Sequence, residues 1–336
     1  MRPAESQHKL KAVFILIGLS ITFDILNGLR DGSNFVSTVV STRVMSTRRA
    51  LSIAAVAEFF GPFIFGVAVA RTFGQDIVAT NTITIYEILA ALASAVAWNL
   101  FTWLASIPSS STHALLGGIL GAVATGTGLQ VIRLGGLIKV LLSLFISPPL
   151  GLIVGYLVIK VVYHLAAEAP PSINNLFKRF QILTGIILAL SYGANDAQKT
   201  MGLISLGLVI SGVLPSFRVP IWVMALSAGS IAVGIFFGGQ RLIRTLGGCF
   251  YKIRPVHGFS SQLAATTVIL GSALLGGPVS SSQVVTSSIL GVGAADQLNK
   301  IRWEAASRIV ESWLLTIPVC AGLAAGIHIL MVRIGL

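Results

Sequence analysis

The sequence predicts an all-α multispan membrane protein made of two inverted-topology repeats with broken helices. Three observations carry that prediction: an apolar composition with recurring span-length runs, polar motifs that occur twice in the same order, and loop charges that reverse between equivalent positions. Of 336 residues, 54% are hydrophobic and only 10% charged. A soluble domain carries about 25% charged residues, so this chain lacks the polar surface of a soluble globule its size.

Runs long enough for the ~20 residues that cross ~30 Å of hydrocarbon occupy residues 50–70, 84–106, 136–163, 219–237 and 313–332. About ten such segments are expected along the chain. The opening "MRPAESQHKLKAVFILIGLS" has a basic flank before an oily run, but no small-residue cleavage site follows and Asp24 interrupts it, so it is read as the first span of the mature protein. The formal charge of +12 is assigned to Arg and Lys in cytoplasmic loops rather than to a nucleic-acid surface. Cys249 and Cys320 lie far apart and offer neither a disulfide nor a zinc framework. The five tryptophans, Trp98, Trp103, Trp222, Trp303 and Trp313, fall near expected span ends, where aromatic belts are common.

Two motif pairs mark the repeat. "NGLRDGSNFVS" (27–37) lies over "YGANDAQKTMG" (192–202) at an offset of 165, matching Gly28 with Gly193 and Asp31 with Asp196. "IPSSSTHALLGGILGA" (107–122) lies over "GPVSSSQVVTSSILGV" (277–292) at an offset of 170, matching Pro108, Ser110, Ser111 and Gly121 with Pro278, Ser280, Ser281 and Gly291. The halves are expected at 1–165 and 180–336, joined by a linker over 166–179, "AAEAPPSINNLFKR", whose double proline and polar residues break the apolar pattern.

Loop charges set the relative orientation of the halves. "STRVMSTRR" carries Arg43, Arg48 and Arg49, whereas its counterpart "SGVLPSFRVP" carries only Arg218. The next loop reverses this: Arg71 stands against Asp76 and Glu87 in the first half, and Arg241, Arg244, Lys252 and Arg254 gather in the second. Positive loops favour the cytoplasm, so equivalent loops face opposite sides. The N-terminus, with Arg2, Lys9 and Lys11 against Glu5, is the exception. Inverted repeats place a substrate site near mid-membrane between the halves in many secondary transporters.

The motifs supply the chemistry of such a site. A charge at the centre of a spanning helix costs roughly 2.5–3.5 kcal/mol on insertion scales, so Asp31, Glu58, Asp196 and Lys199 need polar partners or a wet cavity. An interhelical ion pair is the purely structural alternative. The segment 12–42 would measure ~46 Å as one helix, so breaks are expected at Gly28 or Gly32, and at Gly193 in the second half. "PSSSTH" and "PVSSSQ" each place Pro before a hydroxyl cluster that opens a helix; N-terminal amides and hydroxyls together suit a tetrahedral oxyanion. The alternative is Ser and Thr bonding helix carbonyls within the bundle. His113 faces Gln283 in the pairing, so no titrating role is common to both halves, and His113 is read as an interior histidine.

"GANDAQKTMG", "NGLRDGSNFVSTVVSTR", "IPSSSTHALLGG", "PVSSSQVVTSSILGVG" and the closing "IRWEAASRIVESWLLTIP" together resemble the inorganic phosphate transporter (PiT) family, in particular its bacterial low-affinity permeases, over nearly the whole chain. The resemblance implies re-entrant hairpins, a homodimer and transport of phosphate with Na+ or H+. It also implies that Asp31, Asn34, Asn195, Asp196 and Lys199 line the phosphate and cation sites, that Ser110, Ser111, Thr112, Ser280, Ser281 and Ser282 hold phosphate oxygens, and that Glu58 serves the coupling cation with Asp31, Asn195 and Asp196. Arg30 departs from the Asn or His usual before the first aspartate, and Gln262 and Gln283 replace titratable residues of the second hairpin.

The expected function is therefore secondary active import of inorganic phosphate by cation symport through alternating access, in the plasma membrane of a prokaryote, with no organic cofactor or resident metal. Cations at the paired aspartates lower the cost of bringing a dianion into a low-dielectric site. Sulfate, which has the same shape, is the alternative cargo. A membrane enzyme would need a nucleophile with its base or a metal cluster, and an anion channel would need pore-lining charge rings. The motifs match neither.

Overall fold

The computed structural model describes residues 3–80, 82–105, 107, 109–170, 172–238, 253–297 and 303–334, without the side chains of 3–9, 33–37, 297, 303–306, 308–309 and 312–313. Twelve α-helices are described: α1 Pro3–Ser41, α2 Thr47–Phe65, α3 Ala68–Arg71, α4 Ile85–Leu104, α5 Ser111–Thr125, α6 Leu134–Leu165, α7 Ile173–Tyr192, α8 Gln198–Ile210, α9 Ile221–Phe237, α10 Pro255–Leu274, α11 Ser281–Gln297 and α12 Trp303–Arg333. A π-turn over Thr72–Asp76 extends α3, and a second over Gly193–Ala197 joins α7 to α8.

Local chemistry sets several of these boundaries. Thr84 and Glu87 close a capping box at the start of α4, the Thr84 N–H donating to Glu87 Oε2 at 2.6 Å. Such a box satisfies two of the amides a helix start leaves open. Pro255 opens α10, where its missing N–H costs nothing. Gly66, at φ +82°, ends α2 in the left-handed region, and the chain turns by 73° into the α3 segment. The loop between α6 and α7 spans 166–172. Residues 173–179 of the expected linker form the first turns of α7, where Phe177 is buried.

The helices pack as two interlocked sets. α1 packs on α9 and α2 on α7; α5 packs on α12 and α11 on α6; α4 also meets α12, as α10 meets α6. Exchanging each helix for its repeat counterpart maps every one of these contacts onto another. The α4–α5 and α10–α11 pairs are hairpins, each held within its own half and docked on the last helix of the other.

The matched glycines of the two motifs act differently from the sequence expectation. α1 runs unbroken through Gly28 and Gly32 for 39 residues. A Cβ on Gly28 would stand 2.2 Å from Ile231 O of α9, and one on Gly193 would stand 1.9 Å from Glu58 O of α2. Their partners Gly234 and Gly61 are equally tight, against Ile25 O at 2.2 Å and Leu190 O at 2.4 Å. These glycines bring backbones together, as small residues do between spanning helices. At Gly193 the helix widens into a π-turn without ending, and the sharp break lies instead at Gly66.

Among the described residues, four helices are long and apolar enough by composition to cross a membrane: Leu10–Gly32, Ile85–Leu104, Leu134–Leu165 and Leu314–Arg333. The count is below the ten expected in part because α5 and α9 are short and the α2–α3 pair is bent, and the start of α7 carries Asn174, Asn175, Lys178 and Arg179. Only 22% of the span windows in α6 and α12 is buried, against 61% in α4. α6 and α12 thus form the apolar outside, and α4 lies within.

Candidate functional site

The π-turn between α7 and α8 aims two polar side chains at the tip of the α10–α11 hairpin. Asn195 Nδ2 donates to Val279 O and to Ser281 Oγ, each at 3.0 Å, and Asn195 Oδ1 accepts from Val279 N at 3.0 Å. Asp196 accepts from Ser281 Oγ on one oxygen and pairs with Lys199 Nζ on the other. All four side chains are buried, Lys199 completely. An ion pair this deep is tolerated because each charge finds a partner. Single π-turns occur often at functional sites, since the extra residue swings side chains out of the regular ladder.

The first half makes the matching contact with different residues. Arg30 donates from Nη1 to Asn99 Oδ1 at 2.7 Å and from Nη2 to Ser109 O at the tip of the α4–α5 hairpin. Trp98 Nε1 donates to Ser109 Oγ at 2.8 Å, and that hydroxyl meets Thr316 Oγ1 at 3.1 Å. Ser110 is the N-cap of α5, its Oγ accepting from His113 N at 3.3 Å and lying 2.8 Å from His113 Nδ1. The two tips touch: Thr112 Oγ1 donates to Val279 O at 3.0 Å.

Asp31 and Glu58 complete the surroundings. Both are buried, and among the described residues Asp31 Oδ2 and Glu58 Oε1 have no hydrogen-bond partner; neither has the Tyr192 hydroxyl. Asp31 stands in the field of Asp196, Lys199 and Arg30, and Glu58 in that of Asp31, Asp196 and Lys199. Unpaired buried carboxylate oxygens are costly unless protonated or partnered. The described His, Cys, Asp and Glu residues form no group of three with metal-binding spacing, so any cation here would take hydroxyl and carbonyl oxygens as well.

Of the residues singled out from sequence, hydrogen bonds and an ion pair join Thr112, Asn195, Asp196, Lys199 and Ser281 around Val279. Asp31, Glu58, Ser110, Ser111, Thr112, Asn195, Asp196, Lys199, Ser280 and Ser281 are buried. Ser280 Oγ lies 3.3 Å from Ser282 Oγ, and Ser282 is half-buried. The side chain of Asn34 lies outside the described residues. Arg30, the departure from the family pattern, grips the first hairpin. Gln262 donates to Thr38 Oγ1 at 3.0 Å and accepts from Thr184 at 2.7 Å, away from the serine caps.

Sequence reasoning missed Asn99, Trp98 and Tyr192, and gave no role to Asp24, whose carboxylate accepts from Thr200 Oγ1 at 2.9 and 2.8 Å. The isolated charge of Asp24 in an oily run was the available signal. A cavity of about 840 Å³ between α6, α11 and α12 includes His113 and Gln283 but none of Ser110, Ser111, Ser280, Ser281 and Ser282. Its walls are otherwise largely apolar, as suits a recess beside the bilayer rather than an anion site.

Comparison with known proteins places the chain in a family. The family model described as "Phosphate transporter family" matches residues 27–324. A probable low-affinity inorganic phosphate transporter of Rhizobium meliloti is 38% identical over 312 residues, covering 92% of this chain and 93% of that protein. One of Bacillus subtilis is 37% identical over 315 residues, covering 93% and 94%. A solved structure titled "The sodium-dependent phosphate transporter" superposes with a TM-score of 0.89 at 24% identity, covering 97% of this chain and all of that one. The paired hairpins and their serine caps thus stand in a chain that belongs to the phosphate transporter family.

Proposed function

We propose that this protein imports inorganic phosphate together with Na+ or H+, by alternating access around the pocket where the two hairpin tips meet. The observation that carries the proposal is that Ser281 at the start of α11 bonds Asn195 and Asp196, while Thr112 at the start of α5 bonds Val279 O, the same carbonyl that Asn195 holds, in a protein whose buried Asp31 and Glu58 each keep an unpaired carboxylate oxygen. Ser110, Ser111 and Thr112 with Ser280, Ser281 and Ser282 take the phosphate oxygens, together with the amides that begin α5 and α11. Asp31, Asn195, Asp196 and Glu58 take the coupling cation, and Lys199 lines the phosphate side. The Asp196–Lys199 pair and the Asp196–Ser281 bond then hold the pocket closed between substrates.

Two halves as proposed from sequence, with the second taken to begin at Ile173 where α7 starts, would rock against each other, and the exchange symmetry of the packing supports that reading. The bacterial relatives support a prokaryotic plasma membrane, and the exposed faces of α6 and α12 leave room for a homodimer. Purified protein in liposomes tests the function: labelled phosphate should accumulate under a sodium gradient or under a proton gradient, and the gradient that drives it names the ion. Strong competition by excess sulfate would reassign the cargo. Failure of both gradients to drive accumulation would end the symport reading.

A further inference from the structure

We infer that the protein carries a second anion site, an entry dock for inorganic phosphate, in the cavity above the α10–α11 tip on the face opposite the Arg43, Arg48 and Arg49 loop. This inference rests on the reading of the protein as a phosphate transporter. The cavity measures about 580 Å³ and is lined by Gly66 and Val67 at the α2–α3 break, by Arg71 and Asp76, by Lys139 of α6 and by Gly276 of the hairpin tip. Its charged groups are two cations and one carboxylate, and exposed Arg133 stands nearby with Nη1 donating to Gln75 O at 3.1 Å.

The cations are differently committed. The Arg71 side chain is exposed and, among the described residues, makes no hydrogen bond or ion pair, its backbone N–H donating to Val67 O. Lys139 Nζ lies 3.8 Å from Asp76 Oδ2 and donates to Thr72 Oγ1 at 3.2 Å. That hydroxyl donates in turn to Gly276 O at 2.6 Å. Lys139 is therefore one strut from the hairpin tip, three residues before the Val279 that Asn195 holds. The floor of the cavity leads to the same place: Gln198 Nε2 donates to Gly66 O at 2.6 Å, and Gln198 Oε1 accepts from Ala70 N at 3.1 Å. Gln198 sits between Asp196 and Lys199 in sequence.

A recess of net positive charge concentrates anions at its mouth. A phosphate dianion between Arg71 and Lys139 competes with Asp76 for the ammonium group. Drawing Lys139 away from Thr72 loosens the hold on Gly276, so arrival of cargo and release of the tip are coupled. The tetrahedral oxyanion recognised here is the one the inner pocket takes, and Asp76 keeps the dock weak enough to release it.

Uptake kinetics in liposomes test the inference. Arg71→Gln and Lys139→Met should each raise the phosphate KM about five- to tenfold while the saturating rate stays within about twofold, and Lys139→Arg should restore the KM. At about 1 M salt, where screening acts within ~3 Å, wild type and variants should converge. An unchanged KM in both charge variants would overturn the dock, as would a loss confined to the saturating rate, which would make Lys139 a strut only. A cysteine introduced by Gln75→Cys, in a Cys249→Ser, Cys320→Ser chain that also carries Asp196→Asn, gives a readout independent of transport. Phosphate should slow its modification by a charged thiol reagent, and Lys139→Met should abolish the slowing. No slowing would overturn the dock; slowing in a protein whose parent never accumulates phosphate would leave the dock standing and remove the transport reading instead.

Discussion

Arg30 and Asn195 occupy matched positions in the two halves and hold matched residues of the two hairpins. Arg30 donates to the carbonyl of Ser109, and Asn195 pairs with both backbone groups of Val279. Ser109 and Val279 are themselves equivalent in the repeat. The arginine that departs from the family pattern thus keeps the contact and changes the group that makes it, adding a grip on Asn99.

Loss of either clamp should free a hairpin. Arg30→Ala and Asn195→Ala should each cut phosphate uptake at least tenfold and lower stability by about 2–3 kcal/mol, the cost of buried groups left unpaired. Asn195→Asp should be worse for transport than Asn195→Ala, because a carboxylate would face the Val279 carbonyl that now accepts a bond. Uptake in liposomes and thermal melting in detergent measure the two effects, and wild-type uptake by Arg30→Ala would show that the first hairpin needs no clamp.

The buried Asp196–Lys199 pair separates stability from transport. Lys199→Met leaves an unpaired carboxylate and should cost about 3–5 kcal/mol. The double variant Asp196→Asn, Lys199→Met should recover most of that stability and yet accumulate no phosphate. Transport by the double variant would remove both residues from the mechanism.

Glu58 provides the test of cation coupling. Its Oε1 is buried without a partner, so Glu58→Gln should fold at least as well as wild type while the driving-ion concentration for half-maximal uptake rises about tenfold, a difference of ~1.4 kcal/mol. An unchanged ion dependence would place the coupling site elsewhere.

Glycine positions test the packing. Gly28→Ala and Gly193→Ala push a methyl group onto the backbone of the opposing helix and should strongly reduce the yield of folded protein. Gly18→Ala, on the same helix as Gly28, meets nothing within 4 Å and should be neutral or slightly stabilising, since Ala favours a helix by up to ~1 kcal/mol over Gly. Size-exclusion profiles of detergent extracts would show the contrast.

The amino-acid sequence alone determined the fold class and the family, and marked the polar residues that need partners. The reason is physical: hydrocarbon makes every polar side chain expensive, so Asp31, Asp196, Lys199 and the two serine runs stand out wherever they occur. Tertiary structure decided what each does. That α1 passes straight through Gly28 depends on α9 lying against it, and that Arg30 holds a hairpin depends on Asn99 and Ser109 arriving from a different part of the chain. Such contacts are made between segments 69 to 204 residues apart, as in Arg30 with Asn99 and Thr72 with Gly276, and local pattern carries no record of them. Composition marks which residues must find partners in a membrane, and only the packing of one half into the other assigns them.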